Sequence, residues 1–387
     1  MIDYLEIRDK DSRQLVGIID TAKSIIWNTE YYGVGDFQIY IEATETNIEL
    51  LQLDNLVTRK NDINCGIIEM IEIINDMQDG RMIRASGRFA KSILSRRIIY
   101  EWESTYFVKP TTISGKVADV VWSLIKDNCI SNSNTNRNFS KFGQGSINYL
   151  PKIIVDDENN EDRKQVTYSN LQEFTDQILK EYEYGAYVWL DSMTGEFLYV
   201  MYEGIDRSVD NKSGNIPLIF STEFDNLNST EYVINKSSLA NMAIIGGEEI
   251  TIQEKTDTQE EIKKRFVSRY GDNASGYDRY ETFIDAGSIK KTEKDAAGKD
   301  VVLTDAPYNK LLVQRGKQSL KDMQIIETFS GEIDLTNSGL KYGTDYKVGD
   351  IITLQDKKIK KYINTRILSV TEVQDDGGYK IDIKYGN

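Results

Sequence analysis

The sequence contains no histidine among its 387 residues, and only two cysteines and four prolines. Without imidazole, Ser–His and Cys–His nucleophile pairs and histidine-ligated zinc sites are excluded, as is the side chain that usually titrates near neutral pH. Chemistry based on carboxylates, lysine or tyrosine remains possible. Cys65 and Cys129 belong to no CxxC pattern, so neither a metal site nor a disulfide framework is expected. We expect both to be buried as small apolar side chains.

Long apolar runs are also missing. No run approaches the ~20 residues that a helix needs to cross a bilayer. The first residues, Met1 to Glu6, lack the basic region and apolar stretch of a secretory signal. The sequence therefore predicts a protein that is made in a cytoplasm and has no membrane-spanning segment.

Positive charge is scarce relative to negative charge. The chain has 47 Lys and Arg against 62 Asp and Glu, a net charge of −15. A general nucleic-acid binder would carry a basic face, so we expect no specific nucleic-acid binding. The 40% hydrophobic and 28% charged fractions are ordinary for a folded protein. At roughly 100–200 residues per domain, the length predicts about two or three domains.

Residues 1–104 are predicted to be mainly β-structure, forming a first small barrel or sandwich that residues 216–250 could complete. A hairpin turn is predicted at Asp79-Gly80 and a short helix over 89–95. The predicted strands, which are rich in β-branched and aromatic residues, cover 15–19, 24–27, 37–42, 66–74 and 82–87.

Residues 105–215 are predicted to be an α+β peripheral domain. One helix is expected from Ser114, with apolar residues spaced at i, i+3, i+4 and i+7. A second is expected from Ser169, with Gln172 completing a capping box. Polar residues at 131–138 and acidic residues at 156–162 predict surface loops.

Residues 216–387 are predicted to be a second barrel-like domain, rich in hairpins towards its end. Pro307 suits the first turn of a helix. Strands are expected at 216–220, 242–247, 280–284, 351–354, 367–370 and 379–385. The expected fold class is thus a mixed, β-rich α+β fold with two small β-barrel-like domains and an α+β insertion.

Several residues are candidates for chemistry. A carboxylate acid–base pair could come from Asp36, Asp350 and the 156–162 cluster. However, Asp36 and Asp350 each follow a glycine and are better explained as turn residues that lead into a strand. Asp272 opens a weak calcium-loop pattern that lacks the full set of ligands. We therefore predict no catalytic, cofactor-binding or metal-ligating residue, and no cofactor.

Two further motifs have an ordinary interpretation. Gly143-Gln144-Gly145 lacks the third glycine and the helix of a dinucleotide site. The basic run at 357–361 could contact phosphate or an acidic partner surface, but a solvated hairpin tip or edge is favoured, because lysines there discourage strand addition.

The order of several segments resembles the phage tail hub family, which forms the N-terminal part of many siphophage tail-associated proteins and is related to contractile-tail baseplate hubs and type VI secretion spike bases. The resemblance extends over nearly the whole chain. The segments that carry it are 87–99, the helix at 115–129, Asn170-Leu171, 239–248, 346–352 and 366–370.

This resemblance implies a structural protein of the virion tail tip or baseplate, made in the host bacterial cytoplasm. Family members assemble as a homotrimer, whose two barrel-like domains per subunit form a pseudo-sixfold ring. The implied partners are the distal tail protein, the tail tube ring, a spike, fibre or lysin chain, and the tape measure protein. Through such a ring DNA is ejected, and we expect part of the acidic surplus to face the channel.

The resemblance also bears on activity. Many siphophage relatives continue into a lysin or receptor-binding extension, whereas this sequence ends at Asn387, so we expect no enzyme here. A carboxylate-dependent peptidoglycan-degrading tail lysin and a receptor-binding or carbohydrate-binding tail protein stay open as alternatives. The particle could be a siphophage, a contractile phage or a phage-like bacteriocin.

Overall fold

The computed structural model describes residues 4–60, 62–77, 80–109, 111, 113, 115–145, 153–154, 166–253, 262–294, 300–333, 339–358 and 360–386. Contacts divide the chain into two compact units. The first contains Met1–Glu231 and Phe329–Asn387, and the second contains Tyr232–Thr328. The division into domains at 1–104, 105–215 and 216–387 stays a prediction.

The N-terminal strands follow the predicted runs, and the strands expected within residues 15–87 are confirmed. Asp79 of the predicted turn lies outside the described residues. The elements are β1 (Leu5–Arg8), β2 (Leu15–Ile19), β3 (Ser24–Glu30), β4 (Asp36–Glu42), α1 (Glu45–Leu50), β5 (Leu56–Thr58), β6 (Cys65–Asp76), β7 (Gly80–Phe89) and a 3-10 helix (Ala90–Arg96).

The middle of the chain is α+β, as predicted. Ser114 and the acidic cluster at 156–162 lie outside the described residues, and the loop at 131–138 holds one 3-10 turn (Thr135–Arg137). The other elements are β8 (Glu101–Trp102), β9 (Val108–Lys109), β10 (Gly115–Lys116), α2 (Val117–Cys129), β11 (Phe142–Gln144), β12 (Ile153–Ile154), α3 (Leu171–Glu181), β13 (Gly185–Asp191) and β14 (Glu196–Tyr202).

The remaining chain is again rich in strands, and Pro307 lies in the first turn of a helix, as expected. The elements are β15 (Ile219–Ser221), 3-10 helices Thr222–Phe224 and Gly276–Asp278, β16 (Leu227–Asn235), β17 (Met242–Gln253), β18 (Ile262–Gly271), β19 (Glu281–Asp285), β20 (Thr292–Lys294), β21 (Asp300–Val302), α4 (Asp305–Lys321), β22 (Ile326–Ile333), β23 (Ile351–Asp356), β24 (Lys361–Asp375) and β25 (Gly378–Gly386).

One sheet of eleven strands organises the first unit. Its order is β15-β23-β24-β3-β4-β7-β6-β5-β1-β2, and β25 also pairs with β24. The 15-residue strand β24 pairs with β23 through its first residues and with β3 through its later ones, where Glu372 lies opposite Trp27. The last strands of the sequence therefore extend the sheet that the first strands build.

The β-rich α+β class is confirmed, whereas no closed barrel is found among the described residues. There, the path of paired strands ends at β2 on one side and at β15 on the other, and the two barrel-like domains stay a prediction. Strand β24 continues from the C-terminal hairpin onto β3. The C-terminal strands consequently join the N-terminal sheet.

The first unit has a core formed by the N-terminal strands around Trp27, Phe37 and Phe89. A further core packs α2, α3, β13 and β14 against the 3-10 helix Ala90–Arg96, and it includes both Cys65 and Cys129. The prediction that both cysteines are buried is confirmed.

The second unit has its own core. In its three-stranded sheet β17 lies between β18 and β19. Helix α4 packs on this sheet, and its Tyr308 and Leu312 are fully buried beside Ile245. The Tyr308 hydroxyl donates to the carbonyl oxygen of Ile289 at 2.8 Å and accepts from the N–H of Glu248 at 2.7 Å, so this buried polar group is satisfied.

The start of α3 differs from the prediction. Asn170, and not Ser169, is the N-cap, because its side-chain oxygen accepts from the N–H groups of Gln172 at 3.0 Å and Glu173 at 3.3 Å. Its amide nitrogen also donates to the carbonyl oxygen of Ser95 at 2.8 Å. Asn170 thus both caps the helix and ties it to the preceding 3-10 segment.

This assignment predicts the effect of two neighbouring substitutions. Asn170→Ala removes the cap and is expected to lower the free energy of unfolding by about 1–2 kcal/mol. Ser169→Ala, the matched control, is expected to change it by less than about 0.5 kcal/mol. Urea unfolding followed by circular dichroism measures both. A larger loss for Ser169→Ala than for Asn170→Ala would contradict the assignment.

The cysteines provide a second prediction. Burial raises the pKa of Cys65 and of Cys129 to about 12, so the reactive thiolate form is scarce at neutral pH. Native protein is expected to be unreactive towards a chromogenic disulfide reagent at pH 8 over minutes. Protein unfolded in guanidinium should react fully at both thiols. Rapid labelling of folded protein would contradict the burial of these side chains.

Candidate functional site: a buried ionic cluster and unpaired sheet edges

A buried ionic cluster lies where the first and last strands of the sequence meet. Arg59, which follows β5, forms ion pairs through its guanidinium with both Asp62 and Glu372. The hydroxyl of Tyr379, a residue of β25, donates a hydrogen bond to the carboxylate of Glu372 in β24. The guanidinium carbon also lies 5.1 Å from the centre of the Trp27 ring, a distance that allows a cation–π interaction.

The surroundings of the cluster are nearly dry. The Asp62 and Glu372 side chains are only 8% and 6% exposed. Burial raises the pKa of the Asp62 carboxyl, against the opposing effects of Arg59 and the N–H of Asn64. Burial likewise raises the pKa of Tyr379, and the adjacent carboxylate of Glu372 adds to the shift.

A cavity of about 360 Å³ borders this cluster, with Lys60, Tyr342, Thr344 and Lys347 also in its wall. One guanidinium binds both carboxylates, so neither is left as a free base towards a bound molecule. The arrangement stabilises the junction between β5, β24 and β25 through charge pairing, and provides no acid–base pair of the kind that glycoside hydrolysis requires.

The two carboxylates singled out in the sequence each lead into a strand, as predicted. Asp350 is buried and accepts from Ile205 N–H at 2.9 Å, Arg207 Nε at 3.1 Å and Lys347 N–H at 3.1 Å. It precedes β23 and follows Gly349, whose φ of +96° favours glycine. Asp36 begins β4 and accepts from Asn28 Nδ2 at 3.0 Å. Asp350 and Asp36 thus have separate partners.

The other sequence motifs also have structural roles. Gly143 and Gln144 lie in β11, a strand that runs parallel to β14. Asp272 accepts the N–H of Ala274 at 3.0 Å in a surface turn. Within the described residues, no group of three or more acidic or cysteine side chains is placed to hold a metal ion.

The free edge of the sheet at β2 is apolar. Leu15, Val16 and Ile18 are 47%, 50% and 53% exposed, and β2 pairs only with β1 along the described strands. An edge strand that carries apolar side chains and no lysine is open to pairing with another chain. Sequence reasoning found this strand but missed its exposure, because LVGII shows no alternation that would mark an exposed face.

A groove adjoins β2. It lies between β2, α1 and β6, and its apolar lining consists of Val16, Leu50, Leu53 and Met70. The charged residues of its wall are Asp9, Lys10, Glu49 and Glu69. We call this surface the acidic groove. Leu53 and Met70 are 54% and 47% exposed, so apolar area here remains in contact with water in the single chain.

The hairpin of β8 and β9 carries a second set of exposed aromatic side chains. Trp102, Tyr106 and Phe107 are 56%, 85% and 68% exposed. Glu101 pairs with Lys109 at 3.6 Å across its base. Aromatic side chains in such exposed positions are enriched in protein interfaces.

The basic run lies at the tip between β23 and β24, which confirms the hairpin interpretation. Lys357 pairs with Glu223 at 2.5 Å, whereas Lys358, Lys360 and Lys361 are exposed. Tyr362, the next residue, is 55% exposed. We call residues 358 and 360–362 the basic hairpin tip.

The fold matches those of solved phage tail proteins. A 43 kDa tail protein of prophage MuSo2 from Shewanella oneidensis is 13% identical with a TM-score of 0.55, and the match covers 99% of this chain and 98% of that one. A tail protein from Neisseria meningitidis MC58 is 11% identical with a TM-score of 0.54, covering 99% and 96%. No curated protein matches the sequence itself.

The fold, open at two sheet edges and shared with these proteins, is that of a phage tail protein. Residues 4–387 match the family model described as siphovirus ReqiPepy6 Gp37-like protein. The chain belongs to this family. The predicted resemblance to phage tail proteins is thereby confirmed. None of the described helices is long and apolar enough to cross a membrane.

The ionic cluster predicts a pH-dependent effect of Arg59→Met. Removing one partner from buried charges costs about 3–5 kcal/mol of unfolding free energy. In the wild type the folded-state pKa of Asp62 already exceeds its ordinary value of 3.8, so stability falls as pH rises between these two values. Without Arg59 the folded-state pKa of Asp62 rises further, so the pH range over which stability falls extends upwards. The variant should therefore lose more unfolding free energy at pH 7 than at pH 5.

Urea unfolding of wild type and variant at both pH values measures this difference. The matched control is Arg84→Met, because Arg84 pairs at 2.9 Å with Glu72 but both side chains are about two-fifths exposed. The free energy of unfolding of that control should fall by at most about 1 kcal/mol, with little dependence on pH. Equal losses for Arg59→Met at pH 5 and pH 7 would contradict a buried carboxylate cluster.

Proposed function

We propose that this protein is the baseplate or tail-tip hub of its particle. As a homotrimer it forms a pseudo-sixfold ring that joins the tail tube ring and distal tail protein to a central spike, fibre or lysin chain. The observation that carries this proposal is the family match over residues 4–387 together with a sheet that ends in an exposed apolar strand. Such an edge suits a protein that works by binding neighbours.

The hub acts without chemistry in this proposal. The buried carboxylates at Asp62, Glu372 and Asp350 are each bound by an arginine, which suits a structural role. The tail-lysin alternative is tested by incubating purified protein with cell walls and measuring the release of sugars or peptides. The receptor-binding alternative is tested by binding of this chain alone to host cells.

The charge distribution supports passage of DNA and the tape measure protein. Residues 1–231 contain 37 acidic and 23 basic residues, a net charge of −14, and so hold nearly all of the surplus. A ring lined by part of this charge would repel phosphate within about a Debye length, ~8 Å in physiological salt. An assembled ring with a neutral or basic channel would contradict this part of the proposal.

Native mass measurement tests the hub role. The purified chain is mixed with the neighbouring tail tube and distal tail proteins, and the expected product contains three copies of the chain on a threefold or sixfold partner ring. The control mixture omits the chain and should lack that species. A chain that stays monomeric and joins no partner ring would refute the hub assignment.

A further inference from the structure

The sequence segments around the acidic groove carry a surplus of negative charge. Residues 9–20 and 42–55 contain seven acidic and two basic residues, a net charge of −5. Of the two basic residues, Arg13 is buried and donates to the carbonyl oxygens of Lys141 and Gly195. Glu45 and Glu49 on α1 are exposed to solvent. The groove thus combines an apolar floor with a rim on which the carboxylates of Asp9 and Glu49 outnumber Lys10, while Glu69 is paired with Arg88 at 2.8 Å.

The basic hairpin tip has the opposite character. Lys358, Lys360 and Lys361 form no ion pair with any of the residues that the structure describes, and the exposed ring of Tyr362 lies next to them in sequence. This surface offers one exposed aromatic side chain and three exposed lysines close to it in the sequence. Its charge and apolar content are complementary to those of the acidic groove.

The two surfaces lie towards opposite ends of one sheet. The groove borders β2, which ends the sheet, and the tip joins β23 to β24, near the end formed by β15. In the order of the sheet, β3, β4 and β7 lie between β24 and β6, the groove strand nearest to the tip. A contact between the groove of one copy and the tip of another would therefore be heterologous, and such contacts close into rings when the rotation allows.

We propose that the acidic groove of one copy binds the basic hairpin tip of the next copy, with Tyr362 seated against Val16 and Met70. This contact is the subunit interface of the ring, so the inference rests on the proposed hub function. Lysines at the tip and acidic residues at the rim steer the association and fix its direction, while the apolar contact removes the exposed β2 side chains from water.

Cross-linking tests the contact directly. Val16→Cys and Tyr362→Cys are combined in one chain and treated with a short bismaleimide; both positions are exposed, and the two native cysteines are buried. The expected products are covalent dimers and trimers. The control pairs Val16→Cys with Met193→Cys, at an exposed turn outside both surfaces, and should give at least tenfold less product.

Charge reversal tests the electrostatic part. Glu45→Lys with Glu49→Lys, or Lys358→Glu with Lys361→Glu, should each weaken trimer formation at least tenfold. The chain that carries all four reversals regains complementary charge and should recover most of the association. Circular dichroism checks that each variant is folded. A fourfold variant as weak as either double variant would overturn the proposed pairing.

Both experiments are carried out on two samples. The first is the purified chain alone at rising concentration, and the second is tails that are assembled from this chain and the neighbouring tail proteins. Threefold hubs that enter tails without the Val16–Tyr362 cross-link overturn this interface and leave the hub function standing. Cross-links from Val16→Cys to a different tail protein also overturn it, because the groove then has another occupant. A chain that never enters the tail refutes the hub function itself.

Discussion

The structure of the first unit depends on the pairing of β24 with β3. This pairing joins residues more than 300 positions apart, with Thr371 Oγ1 donating to Asn28 Oδ1 at 3.0 Å across it. It brings Glu372 to Arg59 and places the guanidinium over Trp27. Because Arg59 and Glu372 are both buried, removing either one would leave the other as an unpaired buried charge. This ion pair therefore holds the C-terminal strands on the sheet, and breaking it is costly.

The same arrangement explains how a chain without histidine or metal-ligand clusters among its described residues can hold buried charge. Every buried carboxylate discussed above is met by an arginine or by backbone N–H groups. Tyrosine supplies the additional donors, as Tyr379 does for Glu372. The buried ion pairs and hydrogen bonds thus join segments that are distant in the sequence, whereas the strand edges stay exposed.

The sequence predicted the individual elements better than their arrangement. Strands such as β4 alternate clearly in burial, and the 3.6-residue pattern of α2 is strong, so local periodicity was enough for both. The cap of α3 was misplaced by one residue because Ser169 and Asn170 are both good caps. The joining of the C-terminal strands to the N-terminal sheet was missed because β24 pairs with β3 over a long range, which local patterns do not encode. The ionic cluster was missed for the same reason: Arg59 and Glu372 are neighbours only in the folded sheet.

The joining of the first and last strands also sets the order of events during synthesis. At roughly 5–20 residues per second, a ribosome needs about 15–70 s to proceed from β3 to β24. Throughout that time the edge of β3 that later pairs with β24 has no partner, and Arg59 lacks one of its carboxylates. Completion of the sheet therefore waits for the synthesis of β24, and the nascent chain spends tens of seconds with an open strand edge that can pair with another copy.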